Sequence, residues 1–281
     1  MSIQTPAKPA PVKRAEAAGE KVGRSRGFEW LARAGFVARG VIYGVIGILA
    51  VKLALGAGGK TENQSGALKT VAHQPFGKML LVLVAVGLAG YALWRILRAL
   101  LGHGREKSDS GLDRIAAFGS GVAYAGICAV AVGILLGSGA ADSSGNASKT
   151  AAGVFSWPAG AWIVGIAGAV FVGVALYQGY RGLSHDFLGD SKTEEMSAAV
   201  RRWIEWIGTV GHLARMVVFG LVGVFLIKAA IDFNPAKAVG LDGALAKLAH
   251  HSYGSVLLGI VAAGLVVFAL YSLSDARYRR I

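Results

Sequence analysis

Four basic residues stand near the ends of long apolar runs in two repeat-equivalent pairs, Arg39 with Arg215 and Lys52 with Lys228. A cation in hydrocarbon is costly, so it snorkels along its stem to the interface or meets a polar partner. Snorkelling suits all four. The chemistry open to them instead is anion binding, with Lys52 and Lys228 converging from related units on a cationic outer vestibule. Glu29 and Glu205 are candidate inner-face ion-pair partners for Arg39 and Arg215, which would make that end structural. His73 and His250 are also repeat-equivalent, with His251 adjacent, but zinc wants three or four ligands and the middle of the chain offers Ser156 there. Gly58-Gly59-Lys60-Thr61 ends like a phosphate-binding loop, yet the first glycine of that pattern would fall at Ala54, inside an apolar run with no strand before it. No carboxylate pair, Cys/His pair or Ser/His/Asp set stands at workable spacing, so no catalytic, cofactor or metal residues are expected, and the chain reads as non-enzymatic.

The elements that position these residues are announced by repetition. Glu29-Trp30-Leu31-Ala32-Arg33-Ala34-Gly35-Phe36-Val37-Ala38-Arg39 returns as Glu205-Trp206-Ile207-Gly208-Thr209-Val210-Gly211-His212-Leu213-Ala214-Arg215, and the register continues through Gly44/Gly220, Gly47/Gly223 and Lys52/Lys228. A weaker middle copy aligns Gly40-Val41-Ile42-Tyr43 with Gly121-Val122-Ala123-Tyr124, giving three tandem units. Each unit holds two apolar runs near the length of about 20 residues that a helix needs to cross a bilayer. The runs fall at about Val37–Leu55, Leu80–Leu100, Ile115–Leu136, Gly160–Tyr180, Leu213–Ile231 and Ser255–Leu273.

The expected fold is all-α: an integral membrane six-helix bundle of three parallel two-helix repeats with pseudo-threefold symmetry. Its parts are a disordered basic tail over 1–27 and membrane repeats over 28–104, 105–190 and 191–281. Small residues let helices approach in lipid, so Gly40, Gly44, Gly47, Gly220 and Gly223 are read as packing positions, with Gly165, Gly168 and Gly173 packing the fourth span. Cys128 lies mid-span and rules out an internal disulfide. Trp94, Tyr177 and Tyr271 are equivalent and are placed at the inner interface, with Trp157 and Trp162 at the other face. Trp203, Trp206, Ile207 and Val210 predict an amphipathic helix on the inner surface before the fifth span, with a shorter one near Phe28–Arg33.

The net charge of +13 is a topology signal rather than a nucleic-acid footprint. Lys and Arg crowd the tail and the even connections (Arg95, Arg98, Arg105, Lys107, Arg114; Arg181, Lys192, Arg201, Arg202), and the odd connections are poorer. Both termini are therefore expected in the cytoplasm of a bacterial cell, the protein in its inner membrane and the first span an uncleaved anchor.

Ala38-Arg39-Gly40-Val41-Ile42-Tyr43, then Gly66-Ala67-Leu68 and Gln74-Pro75-Phe76-Gly77, then Gly90-Tyr91-Ala92-Leu93-Trp94-Arg95 resemble bacterial domain-of-unknown-function family 1206. That resemblance covers about residues 28–275 and implies tandem two-helix membrane units, usually three, with no agreed activity. The third unit departs from it with His250-His251-Ser252-Tyr253, and the middle unit has Ser120 where the others have Arg. The functional expectation is a non-enzymatic scaffold or accessory module, in contact with the bilayer and with another membrane protein as candidate partner. The alternative is a small-solute or anion channel or transporter.

Overall fold

The computed structural model describes residues 26–57, 61–101, 111–137, 147–250 and 253–280. The basic tail up to residue 25, Gly58 to Lys60 and His251 lie outside the described residues. Among the described residues six helices are long and apolar enough to cross a membrane: α1 (Arg26–Ala54), α3 (Gly77–Leu101), α4 (Gly111–Leu135), α6 (Gly160–Ser184), α7 (Ala198–Ile231) and α9 (Gly254–Tyr278). Between the two spans of each unit lies a nine-residue helix: α2 (Gln64–Ala72), α5 (Ala147–Phe155) and α8 (Leu241–Ala249). The unit is thus span, short helix, span. Short 3-10 turns at Asp186–Leu188, Thr193–Glu195 and Pro235–Lys237 complete the connections.

Each short helix meets its second span at a glycine. A Cβ on Gly77, Gly160 or Gly254 would strike the carbonyl oxygen of Ala72, Val154 or Ala249. Phe76 and Ala159, just before two of these glycines, are left-handed with φ of 60° and 61°, so the turn carries strain there.

The spans pack in the order α6, α7, α9, α1, α3, α4. The first span of each unit lies on the second span of the unit before it, cyclically, and the three crossings use equivalent residues. A Cβ on Gly47 of α1 would lie 3.0 Å from the Ala262 carbonyl of α9, and Gly223 of α7 meets Gly168 of α6 in the same way at 2.8 Å. At the third crossing Cys128 of α4 donates its thiol proton to the Ala85 carbonyl of α3 at 3.4 Å. Gly40 and Gly44 also face α9, and Gly165 and Gly220 face α7 and α6 respectively, as packing glycines should. Gly173 does not pack: nothing lies within 4 Å of its Cβ position.

Within units the picture differs. In unit 1, Gly35 and Gly87 bring α1 and α3 into backbone contact, and in unit 3 Gly211 and Gly264 do the same for α7 and α9. In the middle unit these places hold Ala116 and Val170, and α4 and α6 do not pack substantially. Only 17% of the α4 span and 22% of the α6 span are buried, against 56% for α1. Among the described residues five neighbouring pairs of spans pack together, and the pair α4 and α6 does not.

Two aromatic expectations need correction. Trp94 and Tyr271 are buried, 5% and 2% exposed, and pack inside the bundle; of the three equivalent rings only Tyr177 is exposed. The segment carrying Trp203 and Trp206 is not a separate surface helix but the first turns of α7, and residues 29–33 are likewise continuous with the first span. A 34-residue helix is about 51 Å long, so α7 projects well past a hydrocarbon core of about 30 Å. Ile204 and Ile207 there are buried, while Trp203 and Trp206 stack face to face, centroids 5.7 Å apart, on the exposed side.

Candidate functional site

Both ends of the described chain lie at one end of the bundle, where Arg33 of α1 donates to the carbonyls of Ala276 and Arg277 of α9 at 2.7 and 2.8 Å. Just inside this end, polar side chains from all three units form a buried network. Arg39 is 5% exposed and fully engaged: Nε donates to Ser272 Oγ at 2.7 Å, one terminal nitrogen to Tyr91 Oη at 2.9 Å, and the other to Asp275 at 2.8 Å. Its guanidinium also lies against the Phe36, Tyr91 and Phe268 rings at 5.0–5.4 Å.

The ion pairs expected from sequence are not those formed. Arg39 pairs with Asp275, and Glu29 pairs with Arg33 one turn away at 2.6 Å. Glu205 lies 3.7 Å from His185, and Arg215 has no ion pair among the described residues. The physical reason is helical direction: Glu29 and Arg39 are ten residues apart on one helix, about 15 Å along its axis, whereas Asp275 faces Arg39 across a glycine-lined crossing.

The equivalent crossing of α7 on α6 is built alike but charged differently. His212 stands where unit 1 has Phe36, stacking on Phe187 and meeting Phe268 and Tyr271 edge-on, as Phe36 meets Tyr91 and Trp94. Gln178 stands where unit 3 has Ser272. With its amide oriented to satisfy both neighbours, its oxygen accepts from both terminal nitrogens of Arg215 at 2.8 and 3.0 Å, and its nitrogen donates to His212 Nδ1 at 2.9 Å. That puts the imidazole proton on Nε2, which is buried and has no hydrogen-bond partner. Arg215 otherwise rests on the Tyr43, Phe219 and Phe268 rings at 5.3, 4.9 and 4.6 Å.

The connection between units 2 and 3 closes the same end. Asp190 receives Arg181 at 2.6 Å and Arg279 at 2.8 Å, Lys192 N–H donates to the Tyr278 carbonyl, and Ser191 bridges to Arg279. Burial alone would raise the Asp190 carboxyl, but Arg279 and Arg181 hold it well below the usual carboxylate range. Burial likewise opposes the charge of Arg279, and Asp190 with Asp275 more than restores it.

Lys52 and Lys228 are exposed near the far ends of α1 and α7, each of which packs on α9. His73 Nδ1 donates to the Lys69 carbonyl at 2.7 Å at the end of α2, and His250 ends α8; no group of three metal-ligating side chains exists among the described residues. The sequence reading missed Asp190, Asp275, Gln178 and His212. The repeat register could have found three of them, since it sets Asp275 against Arg98 and Arg181, Gln178 against Ser272, and His212 against Phe36. Asp190 sits in an irregular connection that no periodicity marks.

The arrangement defines a multi-pass membrane protein of three tandem two-span units with a polar layer near one end. The chain belongs to the family Domain of Unknown Function (DUF1206), which matches it three times, at residues 34–102, 115–185 and 210–279. It is similar to an uncharacterized protein, YxxB, of Bacillus subtilis (strain 168), 34% identical over 253 residues that cover 89% of this chain and 90% of the relative. No solved structure matches it.

Proposed function

We propose that the protein is a non-enzymatic scaffold or accessory module of the bacterial inner membrane, with both termini cytoplasmic, and that its open side receives another membrane protein. The uneven Lys/Arg distribution supports the orientation. The observation that carries the function is the unmade sixth interface. Repeats that close two of their own crossings with Gly35·Gly87 and Gly211·Gly264 have Ala116 and Val170 at the third, both exposed, so α4 and α6 present open packing surfaces. Helices in lipid associate through such close-approach surfaces rather than through hydrophobicity.

Photo-crosslinking residues at Gly126 and Val170, both exposed on these spans, should give a discrete protein adduct in native membranes. Val256 of α9, 64% exposed, serves as the lipid-facing control. Lipid adducts alone at all three positions would sink the proposal. An anion pathway is the second reading, favoured by the guanidinium of Arg215, which no carboxylate among the described residues neutralises. Anion flux in proteoliposomes would establish it.

A further inference from the structure

Two of the inter-unit crossings carry an arginine from the first span against a polar residue of the second, and the two differ in charge. At the α1–α9 crossing the arginine of the first span, Arg39, meets Ser272 and the carboxylate of Asp275. At the α7–α6 crossing Arg215 meets Gln178 at the serine's place, while the place of the carboxylate is taken by Arg181. No carboxylate of the repeat register replaces that anion: Asp190, from the connection, holds a terminal nitrogen of Arg181 at 2.6 Å, and Arg215 has no ion pair among the described residues. Two donors there stand without acceptors. Nε2–H of His212, a residue 4% exposed, has no partner, and Nε of Arg181 has none closer than Asp186 at 4.0 Å. Arg181 stands one turn beyond Gln178 on α6, next to Gly182, whose Cβ position lies 3.1 Å from the His212 Cβ. A buried donor left unmade is costly, and a layer holding several guanidiniums in low dielectric favours an incoming oxyanion.

We propose that Arg215, with Arg181 and His212, binds a phosphate group beside Gln178 at the α7–α6 crossing. Arg215 is half-buried and so reachable. The span that supplies Gln178 and Arg181 is α6, which borders the unmade interface and exposes Tyr177 and Tyr180 beside it. Basic sites between spans near one membrane face suit phosphate headgroups of anionic lipids, and inorganic phosphate presents the same chemistry. This site stands independently of the scaffold reading, since it needs no protein partner.

The test is thermal unfolding of the full chain in a neutral detergent. One arm adds inorganic phosphate against chloride of equal ionic strength, and the other adds phosphatidylglycerol against phosphatidylcholine. The expected result is a rise of several degrees in the midpoint, in the first arm if the ligand is free phosphate and in the second if it is a lipid headgroup. Gln178→Glu places a permanent carboxylate against Arg215, so it should unfold at higher temperature than the parent without ligand and no longer respond. Arg215→Gln should lose the response, and His212→Phe, the residue of the equivalent place in unit 1, should raise the half-saturating concentration several-fold. Arg201→Gln with Arg202→Gln, on the exposed face of α7, should leave the response intact. No shift in either arm overturns the proposal. So does an undiminished response in Gln178→Glu, which keeps every packing atom in place and decides the matter even if Arg215→Gln fails to fold.

Discussion

Replacing Arg39 by Gln should destabilise the protein by about 3 kcal/mol, a magnitude set by its buried partners. The side chain makes hydrogen bonds to Ser272 and Tyr91 and a 2.8 Å ion pair with Asp275, whose side chain is 2% exposed. Hydrogen bonds between membrane helices average about 0.6 kcal/mol in double-mutant cycles, so the two neutral partners account for about 1 kcal/mol. The remainder comes from Asp275, because removing one partner of a buried pair leaves an uncompensated charge worth about 3–5 kcal/mol. Arg279, 3.5 Å from Asp275, moderates that cost and holds the sum near the lower bound. Reversible unfolding in mixed micelles would measure it, with Asp275→Asn and the double variant closing a cycle. The double variant should cost less than the sum of the singles by at least about 1 kcal/mol. Lys52→Gln and Lys228→Gln, both on exposed side chains, should each stay within about 1 kcal/mol of the parent. An Arg39 variant as tolerant as these, or an additive cycle, would refute the reasoning.

Three further outcomes follow from the same geometry. Asp190 is held below its ordinary value in the folded state, so its contribution is present at neutral pH and is lost as the pH falls below about 4; acid titration of stability should show this loss in the parent and not in Asp190→Asn. Adjacent residues at the α5–α6 turn should respond oppositely: Ala159→Gly relieves a left-handed φ of 61° and should raise stability by up to about 1 kcal/mol, while Gly160→Ala should lower it by more, both read by unfolding in micelles. Single cysteines at Gly58, Ser144 and Val239 in a Cys128→Ser background should react with an impermeant thiol reagent from outside the cell. Labelling at Arg105 or Lys192 instead would reverse the proposed orientation.

The six spans and their glycine crossings were legible because hydropathy and small-residue spacing are local properties, written within each helix. Gly47 and Gly223 declare themselves by register alone, and the structure sets both against the preceding unit. The short helices α2, α5 and α8 were not legible. Their nine residues are too few to show a period, and their one clear mark, Asn63 accepting from Gly66 N–H at 3.0 Å, is a cap rather than a pattern. Charge pairing was read wrongly for a related reason. Nearness in sequence suggested Glu29 and Glu205, whereas partners inside a bundle are chosen by which faces cross, and that is a property of three helices at once. The unmade α4–α6 interface could be seen only after the crossings were known, when Ala116 and Val170 turned out to occupy the places of contact glycines.

The repeats have diverged unevenly, and the pattern of divergence bears on function. The three inter-unit crossings remain equivalent down to Gly47 on Ala262, Gly223 on Gly168 and Cys128 on Ala85, so they share one register built from small residues. The polar layer on that frame varies: the position of Arg39 holds Ser120 and Arg215 in the other units, and the position of its partner Asp275 holds Arg98 and Arg181. A layer serving stability alone would be expected to pair its charges slot by slot, since an unpaired buried charge costs more than a buried pair contributes. Instead one slot is self-neutralised by Asp275, and Arg181 of the next is held by Asp190 from an irregular connection while Arg215 keeps only an amide and aromatic faces. The same α6 that carries this uncompensated slot also borders the one unmade interface. Loss of symmetry in packing and loss of symmetry in charge therefore coincide on a single helix, and that is where variants should separate the protein's role from its fold.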